Sequence, residues 1–351
     1  MREIVISERE ANQRLDKFLK KYLGLAGSGF IYKMLRKKRI KLNGSKAAGN
    51  EILNNGDSIR LYLSDETIDG FRFKEEDASV WNGVRALEAD EIVYEDENII
   101  VIDKPAGELS QKAAAEDLSI NERLLAYLYQ TGAWDPEGTF TPGVCNRLDR
   151  NTSGIILAGK TLAGTQLLTG LIRERKIGKY YLAVVEGSFG DSYQADRGIS
   201  GSRSNAFFSD RSAVMDENSG WITGKAYISK DKKTNRVTVH DCAGKDRVYI
   251  ELRFREVNLK KDLRENQMRA LFSHLEHLKS DAHSVIEVEL ITGKTHQIRA
   301  YMSSINHPLV GDKKYGSRES GGYILRAYKV EFPVDDRLSP ELRGRCLLTD
   351  H

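Results

Sequence analysis

Cysteine is scarce in this chain. Only Cys145, Cys242 and Cys346 occur, far apart and without a CxxC pair, which argues against a disulfide framework or a zinc ribbon and favours a reducing compartment. Long apolar runs are also missing: no stretch approaches the roughly 20 residues of a membrane span. The opening MREIVISERE lacks the apolar centre of a secretion signal. A cytoplasmic protein with no membrane partner is therefore expected. Net charge is small, +3 over the whole chain, so only its distribution can say anything about partners. There is no GxGxxG, no internal repeat and no low-complexity tract. The first of these excludes a glycine-rich cofactor loop of the kind a methyltransferase would need.

What is present is an ordinary globular composition, 40% hydrophobic and 30% charged over 351 residues. That length exceeds what one core usually organises, so a small domain beside a larger one is expected. Charge is concentrated near the start. Arg14, Lys17, Lys20, Lys21, Lys33, Arg36, Lys37, Lys38, Arg39, Lys41, Lys46 and Arg60 are opposed only by Asp16, Glu51 and Asp57.

In RLDKFLKKYLG, the residues Leu15, Phe18, Leu19, Tyr22 and Leu23 trace one helical face, with Lys17, Lys20 and Lys21 off it. A second helix is marked by Phe30, Ile31, Met34 and Leu35 and ends in Lys33, Arg36, Lys37 and Lys38. RIKLNG then alternates and stops at an Asn-Gly turn, and NNGDSIRLYLSD supplies another turn with Ile59, Leu61 and Leu63 in alternation. The result is a helix-helix-hairpin module over residues 1–65. A polar stretch, 66–88, reads as a linker, and residues 89–351 form the larger domain.

That larger domain opens on VYEDENIIVIDKPAG, a β-rich run closed by a turn at Pro105 and Gly107. Helices are predicted at Ile120 to Tyr129 and at Leu162 to Lys176, the second capped by Thr161. Strands are predicted at GIILAG, YYLAVVEG, RVTVHD, VYIELRFREV and SVIEVELITG. Strands outnumber helices at spacings too irregular for a βαβ repeat, which predicts a mixed, mainly antiparallel α+β fold.

Three histidines, His274, His277 and His283, invite a metal reading. SHLEHLKSDAH has helical spacing and no cysteine or clustered carboxylate to complete a ligand set, so no metal is expected. His296 and His307 are expected to make structural hydrogen bonds.

The first module resembles an S4 RNA-binding domain in RLDKFL, in KMLRKKRIKLNG and in NGDSIRLYL. The resemblance implies that Lys33, Arg36, Lys37, Lys38 and Arg39 meet RNA phosphates, holding a structured RNA by its shape. In the larger domain, NRLDRNTSG, GKYYLAVVEG and LITGKTHQIRAYMSSINHPLVGDKKYG resemble the three motifs of the RluA-type pseudouridine synthases. Asn146 and Arg326 stand where a histidine is usual in that family. No family pattern is found over 188–219 or 258–283.

The resemblance implies isomerisation of uridine to pseudouridine without a cofactor. Asp149 would be the catalytic carboxylate, attacking either the sugar or the base. Arg299 would orient it. Tyr181 would stack on the base and could accept a ribose proton. The target base would be flipped out of its helix, with Arg147 filling the vacated stack. Lys294 is expected at the substrate, and Leu325 with Ala327 in the pocket wall and core. The expected substrate is large-subunit ribosomal RNA, with transfer RNA as the other option, and the expected state a monomer. A non-catalytic S4-type ribosome assembly factor is the rival reading, which the joint presence of Asp149, Tyr181 and Arg299 opposes.

Overall fold

A computed structural model describes residues 1–71, 80–114, 116–136, 138–187, 214–216, 219–257, 283–319 and 321–349. The sequence-predicted elements and histidines that fall on 188–213 and 258–282, His274 and His277 among them, lie outside the described residues, as does 72–79 of the expected linker. The described chain is a mixed α+β fold with seven α-helices and a small and a large sheet. It divides into two compact units, one of residues 1–101, 111–146 and 157–170, the other of 102–110, 147–156 and 171–351.

In the first unit, β1 (Arg2–Val5), β2 (Ile40–Leu42), β3 (Ser45–Lys46) and β4 (Ser58–Leu61) form an antiparallel sheet in the order β1-β4-β2-β3. Beside it lie α1 (Leu15–Tyr22) and α2 (Ser28–Arg36). The apolar stripe read from the sequence is the buried one: Leu15, Phe18, Leu19 and Leu23 join Ile31, Leu35, Ile40, Ile59 and Leu61 in one core. Off the stripe, Lys17 and Lys21 are exposed and Lys20 half-buried, because burying an ammonium without a partner costs far more than a methylene gains. The Asn-Gly turn is present, with Asn43 and Gly44 both at positive φ (48° and 76°), the backbone a two-residue hairpin between β2 and β3 demands. At the edges of the expected linker, α3 (Asp65–Phe71) and α4 (Val80–Gly83) are helical.

The same unit holds β5 (Ile92–Glu95), the start of β6 (Ile99–Lys104), α5 (Ile120–Gln130) and β7 (Gly143–Val144). The hydroxyl of Ser119 caps α5 by accepting from the Asn121 amide at 3.2 Å. β6 and β8 (Ser153–Gly159) run from one unit into the other. Thr161 caps α6 (Leu162–Arg173) as expected, accepting from the Gly164 amide at 3.0 Å. The helix stops before Lys176, where its pattern had predicted the end. Arg175 turns left-handed (φ 58°) and the Lys176 amide bonds back to the Leu171 carbonyl at 2.9 Å, closing the end.

The second unit is organised by a sheet of β9 (Gly178–Glu186), β10 (Val214–Met215), β11 (Ile222–Asp231), β12 (Arg236–His240), β13 (Val248–Glu256), β14 (His283–Glu289), β15 (Leu325–Glu331) and β16 (Cys346–Leu348). Its strand order is β10-β11-β13-β14-β9-β15-β8, with β12 on β11 and β16 on β15. Pairing is antiparallel, except that β15 runs parallel to β8. β10, β11, β15 and β16 were not anticipated as strands. One further helix, α7 (Gln297–Ser304), follows β14.

Register explains how the sheet builds a wall. Tyr181 on β9 lies opposite Ala327 on β15, and Ala327 lies opposite Gly154 on β8. Leu325 lies opposite Ala183. Directly opposed residues share a face, so Tyr181, Ala183, Leu325 and Ala327 line one side. Leu182, Val184 and Tyr328 pack a core on the other. Gly154 sits at φ +108°, where a Cβ would overlap the backbone of Ala327. Only glycine allows the two strands this approach. All three cysteines are free, and no described helix is long and apolar enough to cross a membrane.

Candidate active site

Asp149 lies in the loop that leads into β8, and this loop is pinned from both sides. The Thr152 amide donates to the Asp149 carbonyl at 3.0 Å, closing a turn. Ser110 Oγ donates to the Leu148 carbonyl and accepts from the Leu148 amide, both at 2.9 Å. Lys104, fully buried at the end of β6, donates to the carbonyls of Pro105 (2.8 Å), Glu108 (2.9 Å) and Arg150 (3.0 Å). Three carbonyls satisfy its three N–H groups. Burial still pushes its pKa down to about 8, against the pull of Glu108, Asp149 and Asp103.

The carboxylate meets a fixed cation. Arg299, on α7, places Nη1 3.3 Å from Asp149 Oδ2. Its other edge forms a two-pronged pair with Asp312, Nε to Oδ2 at 2.7 Å and Nη2 to Oδ1 at 3.0 Å. The guanidinium stacks over the Tyr323 ring at 4.2 Å and sits 5.1 Å from the Tyr315 ring centre. Burial works against this charge, but the bond to Asp312 and the nearby Tyr323, Asp312 and Asp149 outweigh it and hold the group protonated. A planar cation held on both edges and one face cannot swing, so its free Nη1 gives Asp149 one orientation.

Tyr181 is buried, and its hydroxyl is pushed far above the usual phenol range, first by burial and then by the Asp149 charge. It is a neutral phenol at physiological pH. Leu325 is buried on the same side of the sheet. Arg147 and Lys294 are exposed, the first two residues before Asp149 and the second in the loop before α7. Lys33, Arg36, Lys37, Lys38 and Arg39 belong to the first unit and are all exposed.

The two departures from the usual motif are both absorbed locally. Asn146 Oδ1 accepts from the Leu157 amide at 2.7 Å, a bond that a ring nitrogen could also accept. Arg326 ion-pairs with Asp103 and reaches Ser153 Oγ (3.3 Å) and Thr349 Oγ1 (3.1 Å). His307 makes the expected structural bond, from Nδ1 to the Glu186 carbonyl at 2.8 Å.

Sequence reading missed Lys104, Asp312, Tyr315 and Tyr323. Three lie inside stretches already singled out, DKPAG and GDKKYG, and Tyr323 opens YILRAYKVEF. Their signal was there, but nothing in local periodicity marks which member of a motif touches a residue 13 positions away, as Asp312 does Arg299, or 46 away, as Lys104 does Arg150.

The chain is similar to known proteins over most of its length. The RNA pseudouridylate synthase family profile matches residues 98–304, more than half of the chain. An RNA pseudouridine synthase of Mycoplasma pneumoniae is 26% identical over 314 residues, covering 89% of this chain and 80% of the relative. The ribosomal large subunit pseudouridine synthase C of Escherichia coli K12 is 26% identical over 324 residues, covering 92% and 82%. Among solved structures, human RNA pseudouridylate synthase domain containing 4 matches with a TM-score of 0.49 and 15% identity, covering 77% of this chain and 90% of that one. The chain belongs to the RNA pseudouridylate synthase family, enzymes that isomerise uridine to pseudouridine within RNA.

Proposed function

We propose that this enzyme modifies uridine in large-subunit ribosomal RNA, with Asp149 as its catalytic carboxylate. The observation that carries the assignment is the Asp149–Arg299–Asp312 chain: one buried cation, anchored by one carboxylate, presents the other. The reaction breaks the N1–C1′ bond of uridine, turns the base and joins C5 to C1′, the proton lost from C5 being balanced by one gained at N1. Asp149 acts as nucleophile, and Arg299 holds it aimed. Tyr181 stacks against the base as a neutral phenol. A neutral phenol can take up a ribose proton only after giving up its own, which the raised pKa opposes, so stacking is the role the residue supports best. Arg147, exposed beside the nucleophile, fills the space of the extruded base. Lys294 contacts the RNA backbone and Leu325 the pocket wall.

Residues 1–65 act as an S4-type RNA-binding module, 66–88 as a linker and 89–351 as the catalytic domain, in a cytoplasmic monomer. The support is a core from Ile6 to Leu61, which Ile68 of α3 also joins, and five exposed basic side chains at and just after the end of α2. The Escherichia coli relative is a ribosomal large subunit synthase, which supports the ribosomal substrate. Purified enzyme is expected to release tritium from ribosomal RNA labelled at uridine C5, and pseudouridine mapping in cells with and without the gene should lose sites in the large subunit. Loss of sites confined to transfer RNA would overturn the substrate, and full turnover by Asp149→Asn would overturn the nucleophile.

A further inference from the structure

His296 immediately precedes α7 with a left-handed backbone (φ 52°), and its side chain is 8% exposed. Its Nδ1 lies 2.9 Å from the Tyr315 hydroxyl, with the two rings edge to face. The same hydroxyl accepts a bond from the Val237 amide at 3.0 Å. An amide N–H can only donate, so it occupies a lone pair of the phenol oxygen and leaves the phenol hydrogen to be placed. Among the described residues the hydroxyl has no hydrogen-bond partner besides Val237 and His296. Tyr315 is buried, and a buried O–H without an acceptor is costly. The hydrogen therefore goes to His296 Nδ1. A ring nitrogen that accepts carries no proton, so the neutral ring carries its proton on Nε2.

That nitrogen faces the reacting group. Nε2 is 3.8 Å from Asp149 Oδ2, the same oxygen that Arg299 Nη1 approaches at 3.3 Å. Among the described residues both side-chain donors converge on Oδ2, and Oδ1 has no partner. We propose that His296 is a positioning residue: a neutral, Nε2-protonated imidazole, locked by Val237 and Tyr315, that with Arg299 holds Asp149 Oδ2 and leaves Oδ1 to attack. This rests on Asp149 being the nucleophile. The 3.8 Å separation is longer than a hydrogen bond, and contacts of this kind commonly tighten in the substrate complex.

The surroundings agree. Asp149 and Asp312 favour a charged ring, whereas burial, the largest influence, and the charges of Arg299 and Lys314 disfavour it, and the balance lowers its pKa. Protonation at Nδ1 would also present a hydrogen to the hydroxyl hydrogen of Tyr315, forcing that hydroxyl to turn away.

The test is nitrogen NMR of the full-length enzyme labelled at histidine, with the His296 signal assigned by its loss in His296→Gln. At neutral pH the ring should show a protonated Nε2 and a hydrogen-bonded, unprotonated Nδ1, and Tyr315→Phe should release it to a mixture of tautomers. In single-turnover assays, His296→Ala should lose roughly ten- to hundredfold in rate, with the RNA concentration dependence moving less than about twofold. His296→Gln, which returns an N–H donor, should recover much of that rate. A ring protonated at Nδ1, a doubly protonated ring, an unchanged rate in His296→Ala or an effect on RNA affinity alone would each overturn the proposal. Failure of the nucleophile assignment is distinguishable, since it would appear as turnover by Asp149→Asn while the tautomer stays as expected.

Discussion

Two sets of charges in this protein live under opposite conditions. Lys33, Arg36, Lys37, Lys38 and Arg39 are exposed, and none has an ion-pair partner among the described residues. Arg299 is 7% exposed and carries two carboxylates and two aromatic rings. Exposed charges act through water over a Debye length of about 8–10 Å, are weakened by salt and impose no orientation. A buried, bidentate charge reaches only its neighbours, but fixes them. On the proposed reading, gathering a polyanion and aiming a carboxylate need opposite environments, and arginine supplies both according to where the fold puts it.

The largest effect that could break this contrast is expected from Asp149→Asn. Its single-turnover rate should fall on the order of 10⁴-fold or more, with RNA affinity by filter binding unchanged. Next, Arg299→Lys keeps the charge but loses the planar fork between Asp312 and Asp149. It should cost roughly 10²–10³-fold in rate, again without a matching loss of affinity. Gly154→Ala forces a Cβ into the Ala327 backbone and should cost about 3 kcal/mol or more of stability, read from the urea midpoint.

On the exposed side, changing Lys33, Arg36 and Lys37 to Gln together should weaken RNA binding. It should also flatten the dependence of log affinity on log salt by roughly 0.7–0.9 for each phosphate that is no longer neutralised, with the rate at saturating RNA intact. An unchanged salt slope would remove these residues from RNA capture.

The smallest effect concerns Lys104. Its folded pKa of about 8 lies below the ordinary lysine value of 10.5, so between those values the unfolded chain binds more protons and this group's contribution to stability rises with pH. Activity should move the other way. Above about pH 8 the neutral amine has too few hydrogens for three carbonyls, and the rate should decline a few-fold as the Asp149 loop loosens. In Lys104→Arg this decline should shift to higher pH.

Elements whose logic is local were readable in the sequence. The α1 stripe, the Asn43–Gly44 turn and the Thr161 cap each follow from residues within one turn of each other. β1 escaped notice because REIV is short and half exposed, and β11 because TGKAYISKD mixes glycine and lysine into its alternation. Within the candidate site, Asp149, Tyr181 and Arg299 were found through motif resemblance, and the structure pairs the first with the third. Lys104 is fully buried, which lysine rarely is, so nothing beside Pro105 marks it. Asp312, Tyr315 and Tyr323 owe their place to contacts across the fold, which no periodicity encodes.

The meeting of Gly154 with Ala327 has a consequence for how such an enzyme diversifies. At that point the wall beside Tyr181 is main chain against main chain, and main chain is the same in every protein. Gly154 has no side chain to exchange there, and none can be added without moving Ala327. Evolutionary novelty in target choice is thereby pushed outward, into loops and surface segments that can be lengthened or recharged while the row from Gly154 to Tyr181 stays as it is.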